Sequence, residues 1–166
     1  MKKRKNTSSL YVTQAACIAA LYVALTLFSN LFGLGSGVIQ IRLSEMLCLL
    51  PIFLSAAIPG VTMGCFLANL LTGAVWLDIL VGPIATLLGV LGTYALRRYR
   101  WLTPLPTVLS NGLIIPFVLA YGYGAEEAIP FMMLTVGVGE ILSAGVLGLL
   151  MIKLAEPMLK RIAEKK

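Results

Sequence analysis

Leu10-Tyr-Val-Thr-Gln-Ala-Ala-Cys-Ile-Ala-Ala-Leu-Tyr-Val-Ala-Leu-Thr-Leu-Phe-Ser-Asn-Leu-Phe32 runs without one charged side chain, from the basic cluster Lys2-Lys-Arg-Lys5 to the glycine-rich Gly33-Leu-Gly-Ser-Gly37. A helix of that length crosses the roughly 30 Å hydrocarbon core of a bilayer. The stretch is too long for the apolar core of a secretory signal, so it predicts a retained first membrane span. The rest of the chain has the same character. Across 166 residues it is 59% hydrophobic and only 12% charged, with a mean hydropathy of +0.94. Soluble globular domains do not have this composition.

Turn signals outward from that stretch mark five further spans. The segment Val38 to Leu43 alternates apolar and polar residues, which predicts an extended backbone with Gln40 and Arg42 on one face. Pro59-Gly60 predicts a tight turn, Asp78 a helix N-cap, and Pro104, Pro106, Tyr121-Gly-Tyr-Gly124 and Pro130 the bounds of the last two spans. The expected architecture is an all-α integral membrane protein: a six-transmembrane-helix bundle in a single membrane domain over 1–166. Its spans fall at about 10–32, 44–58, 61–75, 79–97, 105–121 and 129–153. The second and third are short for a full crossing, as spans bordering a polar cavity can be.

Charge sets the orientation. Every lysine and arginine except Arg42 falls in Lys2–Lys5, in Arg97–Arg100 or in the tail from Lys153 onward. In a six-span thread these three groups share one side, and the positive-inside rule makes that side, with both termini, cytoplasmic. Localisation in the plasma membrane as a multi-pass protein follows. Arg42, Glu45, Trp76, Asp78, Tyr121, Tyr123, Glu126 and Glu127 then lie at or near the outer side. A net charge of +6 reads as topology, not as a nucleic-acid surface, because binders of nucleic acid carry a basic stripe on a polar fold.

Several chemistries are excluded. The chain has no histidine, no phosphate-binding loop, no nucleophile elbow and no cluster of metal ligands. No enzyme, metal site or cofactor is expected, and any active transport needs a partner to hydrolyse ATP. Cys17, Cys48 and Cys65 sit in apolar runs and read as small packing residues.

Glu140 is the most informative residue. It stands about ten residues into the last span, roughly 15 Å along the helix, where an ionisable group is costly and marks a functional site by default. A protonated or internally bonded structural carboxyl is the alternative. Arg42 and Glu45 stand three apart and read either as an ion pair or as ligand contacts. Asn69 and Asn111 can bridge helices or meet the edge of a ring, and Asp78 reads as a cap or a contact. Trp76, Tyr121 and Tyr123 suit an interfacial belt. In span 1, Ala15, Ala16, Ala19, Ala20 and Ala24 are spaced by fours, a small-residue face that packs within the bundle or docks a partner.

Taken together, Ile39-Gln-Ile-Arg-Leu-Ser-Glu45, Ala57-Ile-Pro-Gly60, Gly64-Cys-Phe-Leu-Ala-Asn69, Leu77-Asp-Ile-Leu80, Ala85-Thr-Leu-Leu88, Asn111-Gly-Leu-Ile114, Gly139-Glu140 and Val146-Leu-Gly-Leu149 resemble the QueT family over nearly the whole chain. The resemblance implies the substrate-binding S component of an energy-coupling-factor (ECF) importer for a queuosine precursor. It also implies an outward pocket capped by the first loop, and partners in a transmembrane T subunit and two ATPase subunits. Ala15-Ala-Cys-Ile-Ala-Ala-Leu-Tyr22 is similar to the helix by which such components dock. The expected substrate contacts are Glu140, Arg42, Glu45, Asn69, Asn111, Asp78 and Gln40, with Glu140 accepting from the paired donors of a 7-deazaguanine. PreQ0, preQ1 and queuine all fit that description. An S component for another vitamin or purine-like solute, and a stand-alone homodimeric carrier, are the competing readings.

Overall fold

The computed structural model describes residues 3–34 and 40–164. Among them there is no strand. The α-helices are α1 (Lys3–Leu31), α2 (Ala57–Leu71), α3 (Trp76–Ala95), α4 (Leu105–Gly122), α5 (Ile129–Glu140) and α6 (Gly148–Glu164). A 3-10 helix spans Leu43–Ile52, and a π-helical segment, Ile141–Leu147, joins α5 to α6 without a break.

Among the described residues four stretches are long and apolar enough to cross a membrane: Ser8–Leu31, Trp76–Ala95, Arg100–Gly122 and Ile129–Ile162. Large apolar side chains such as Phe28, Leu31, Leu80, Leu88, Leu113 and Leu134 are exposed on them. A soluble protein rarely presents so much apolar surface, whereas lipid solvates it. Where two further spans are expected the structure has the 3-10 helix and α2, both shorter.

The 3-10 helix is the centre of the packing. It contacts α1, α2, α3, the π segment and α6, and Ser44, Glu45, Leu47, Cys48, Leu49, Leu50 and Pro51 are all buried. The tighter ladder, with about 2 Å of rise per residue, stretches these ten residues to roughly 20 Å. This differs from the expected α-helical span to residue 58. Pro51 has no N–H to continue a ladder, and the chain turns over Phe53 to Ala56. The turn expected at Pro59-Gly60 lies earlier, because α2 already begins at Ala57. A proline is tolerated there, since N–H groups in a helix's first turn have no intrahelical partner.

Gly60 and Gly64 let α1 lie directly against α2. A Cβ on Gly60 would stand 2.8 Å from the Ala15 carbonyl oxygen, and one on Gly64 2.7 Å from the Tyr22 Cβ. The alanines of α1 therefore divide. Ala19 is buried in this contact and Ala15 half-buried, whereas Ala16, Ala20 and Ala24 face away and are exposed.

The two ends of the bundle differ. At one end Tyr11 on α1 donates to the Ser55 carbonyl. Arg100, beside α4, forks onto Glu156 of α6 at 2.7 and 2.9 Å, and Lys160 joins the same carboxylate at 2.8 Å. Arg100 also stands over the Phe53 ring, two residues from Ser55, so Tyr11 of α1, the α3–α4 connection and Glu156 of α6 lie at one end of the bundle. At the opposite end α1 finishes, α3 begins and α4 finishes.

Candidate functional site

In a 3-10 helix residues three apart eclipse one another, so Arg42, Glu45 and Cys48 stack along one edge of Leu43–Ile52 and its N-cap. Glu45 is fully buried and accepts three bonds. The Tyr22 hydroxyl of α1 donates to its Oε1, the Cys48 thiol to its Oε2 at 3.1 Å, and Asn111 Nδ2 of α4 to Oε2 at 3.4 Å. The same Asn111 nitrogen donates to Glu140 Oε1 at 2.9 Å. One amide thereby spans two carboxylates. Turned the other way, Asn111 would aim its oxygen at both, so the network fixes its orientation.

That orientation leaves Asn111 Oδ1 without a partner among the described residues, and Glu140 Oε2 has none among them either. Both atoms belong to buried residues on the wall of an inner chamber that also includes Gln40, Arg42, Cys65 and Thr86. About 20 Å³ of it is open to the centre of a water molecule, room for one water. Gly139 seats the loop over this chamber, because a Cβ there would collide with the Gln40 carbonyl oxygen. The helix changes type immediately after Glu140, where the π segment begins, a local widening often found at functional sites.

Above the chamber lies a cavity of about 390 Å³, within the usual size range of small-molecule pockets. Gln40 and Arg42 line both spaces and form the neck between them. Thr26, Asn30, Asn69, Thr72 and Tyr123 line the upper one, with Asp78. Asp78 does not cap α3; the N-cap position is Val75. Its carboxylate instead accepts from Tyr123 at 3.0 Å and, more distantly, from Asn69 Nδ2 at 3.4 Å. Asn69 also donates to the Asp78 carbonyl at 2.9 Å, tying α2 to α3. Partial burial and the Asp78 carboxylate hold the Tyr123 phenol above its ordinary pKa. Trp76 and Tyr121 lie on the surface, as belt residues do.

All seven side chains named as contacts, Gln40, Arg42, Glu45, Asn69, Asp78, Asn111 and Glu140, line one or both spaces. Of the two readings of Arg42 and Glu45, the ion pair is not formed among the described residues; Glu45 turns to Tyr22, Cys48 and Asn111 instead. Gln40 and Arg42 share a face, and Arg42 is extended with φ −102° and ψ 105°. Val38, Ile39 and the glycines at 35 and 37 of the expected cap lie outside the described residues.

Tyr22, Cys48, Cys65 and Thr86 were not expected at the site. Cys48 was legible, standing three residues after Glu45 like the Arg42–Glu45 pair, but only if a 3-10 helix is assumed. Tyr22 carries no such signal, since only the α1–α2 contact brings it to Glu45. The described residues include no group of metal-ligating side chains.

The QueT transporter family matches residues 12–157. The chain is also similar to the queuosine precursor transporter QueT of Lactococcus lactis subsp. cremoris, 38% identical over 101 residues, which is 60% of this chain and 57% of that protein. The match thus spans little more than half of the relative's length. No solved structure matches. Both the family and the relative are transporters, not enzymes. A chain with several apolar helices and a transporter profile over almost all of its length is a multi-pass plasma-membrane protein, and it belongs to the QueT transporter family.

Proposed function

We propose that this protein captures a queuosine precursor of the 7-deazaguanine type from outside the cell, as the S component of an ECF importer. In this reading the chain is a single membrane domain that crosses six times, with the 3-10 helix and α2 as the two short passes and both termini cytoplasmic. The two-part cavity then opens outward. The Ala16, Ala20 and Ala24 face of α1 is the surface for the T subunit, which couples to two ATPase subunits. Ala15 and Ala19 serve packing against α2.

The observation that carries the reading is the floor of the inner chamber. Asn111 Oδ1 and Glu140 Oε2 are buried acceptors without a partner among the described residues, on two side chains joined by the Asn111–Glu140 bond. A 7-deazaguanine offers two adjacent donors, N1–H and the exocyclic amine, to such an acceptor pair. Entry of the ring requires Gln40 and Arg42 to part, because the inner chamber alone holds only a water.

Glu140→Gln tests the site. The amide keeps an acceptor for Asn111 but sets a donor against the ligand. Loss of a charge-assisted bond costs about 1.5 to 3 kcal/mol, and the unsatisfied donor about 1 to 3 more. Affinity measured by isothermal titration with preQ0, preQ1 and queuine should fall at least about a hundredfold. Near-wild-type affinity for all three removes Glu140 from the site. Uptake into proteoliposomes only when the T subunit and ATPases are present supports the S-component role; uptake by the chain alone makes it a self-sufficient carrier.

A further inference from the structure

Resting on that reading, we propose that the upper cavity is a second subsite, one that takes a positively charged amine on the ligand's side arm, with Asp78 as its counter-ion.

Acidic groups outnumber basic ones around the two connected spaces. Among the described residues their walls carry three carboxyl groups, Glu45, Asp78 and Glu140, and one guanidinium, Arg42. Asp78 is buried at 3% exposure, yet it lines the upper space. A carboxylate has about four lone-pair directions, and the described bonds to its oxygens come from Tyr123 and Asn69. Lone-pair capacity is therefore left for a ligand.

The backbone adds to this field. Helix C-termini carry a partial negative charge. Three of them border the upper space: α1 ends at Leu31, with Asn30 on the wall, α2 ends at Leu71, with Thr72, Gly73 and Ala74 on the wall, and α4 ends at Gly122, with Tyr123 on the wall. Two N-termini also border it, that of α3, with Asp78 in its first turn, and that of the 3-10 helix, with Arg42 as its N-cap. The three C-termini and the Asp78 carboxylate favour a cation over an uncharged arm, which gains at most a hydrogen bond, and Arg42 on the same wall opposes part of that preference.

Geometry sets the two subsites end to end. Asp78, Gly82 and Thr86 follow one face of α3 at intervals of four. Asp78 lines the upper space, while Gly82 and Thr86 line the inner one. Eight residues of helix cover about 12 Å, enough for a bicyclic heterocycle with a one-carbon arm to lie along it. With its donor edge on Asn111 and Glu140, such a ligand carries its arm toward Asp78. The inference selects an aminomethyl-bearing deazaguanine over its nitrile counterpart.

Titration of the purified wild-type protein with three 7-deazaguanines, bearing aminomethyl, hydroxymethyl or nitrile groups, tests this. The hydroxymethyl compound keeps a hydrogen-bond donor without the charge. The amine should bind at least about tenfold tighter than either neutral compound. That ratio should collapse in Asp78→Asn, and also in Thr72→Lys, which adds a cation on the exposed rim and leaves the partners of Asp78 in place. Equal affinities in wild type, or a ratio that survives in a folded variant, overturn the subsite while leaving the floor assignment standing. Failure of all three compounds to bind overturns the importer reading itself.

Discussion

Asn111 Nδ2 lies 2.9 Å from Glu140 Oε1, so a side chain of α4 holds the carboxyl that closes α5. The same nitrogen reaches Glu45 at 3.4 Å, which makes Asn111 the link between the last span and the central 3-10 helix. Asn111→Leu keeps the approximate volume and removes the donor from both carboxylates. Leaving a buried group unsatisfied costs about 1 to 3 kcal/mol. The thermal unfolding midpoint in detergent should drop, and ligand binding should be lost with it. An unchanged midpoint would mean that the bridge contributes nothing to the fold.

Ala19→Leu and Ala20→Leu place the same side chain on adjacent positions of α1 with opposite consequences. Ala19 is buried, and its Cα lies 3.1 Å from where a Gly64 Cβ would stand, so overpacking there should cost about 1 to 3 kcal/mol. Ala20 is exposed and should leave unfolding unaffected. If the outer face docks the T subunit, Ala20→Leu should instead reduce copurification of the complex. An undiminished complex would reject the docking role.

Hydropathy and charge made the helical class, the long spans and the common end of the basic clusters legible, since each depends on composition along a single helix. Deep polar residues such as Glu45, Asn111 and Glu140 were legible because burial of such groups in an apolar span demands a reason. What the sequence hid depends on neighbours. Leu43–Ile52 has the apolar pattern of any buried helix, and its 3-10 form is visible only in the contacts around it. The shift of α2's start to Ala57 turns on a proline placed where no N–H is needed. Asp78 looks like a cap until Asn69 and Tyr123 are brought to it.

Arg42→Ala should act at the neck. With no ion pair to Glu45 to break, the fold should keep its stability, while the passage between the two spaces widens. Bound ligand should then leave faster, on the order of tenfold, with a smaller change in association. Stopped-flow exchange of a pre-bound ligand measures this, and wild-type release rates would remove Arg42 from any gating role.

Alkaline pH should expose the Tyr123–Asp78 contact. The folded Tyr123 is held above its ordinary value of 10.0 by burial and by the Asp78 carboxylate. The neutral phenol's contribution is therefore fully present below about pH 10 and is lost as pH rises through the folded value. Unfolding midpoints between neutral and strongly alkaline pH should fall less steeply in Tyr123→Phe than in wild type. Parallel profiles would show that the phenol makes no pH-dependent contribution.

The π segment after Glu140 has a consequence for how the chain may be cut and rejoined. A π turn holds one residue more than an α turn, so Ile141–Leu147 stores an insertion inside an unbroken rod. Deleting one residue from it would let the ladder revert to α. Glu140 and the residues of α6 would each keep their facing, and only the bulge beneath the carboxyl would vanish. Deleting a residue on either side of the bulge would instead turn every following side chain by about 100°. A shorter relative can therefore have its gap here and preserve both faces, and a chimera joined inside 141–147 tolerates a register error that would ruin a junction elsewhere in the helix.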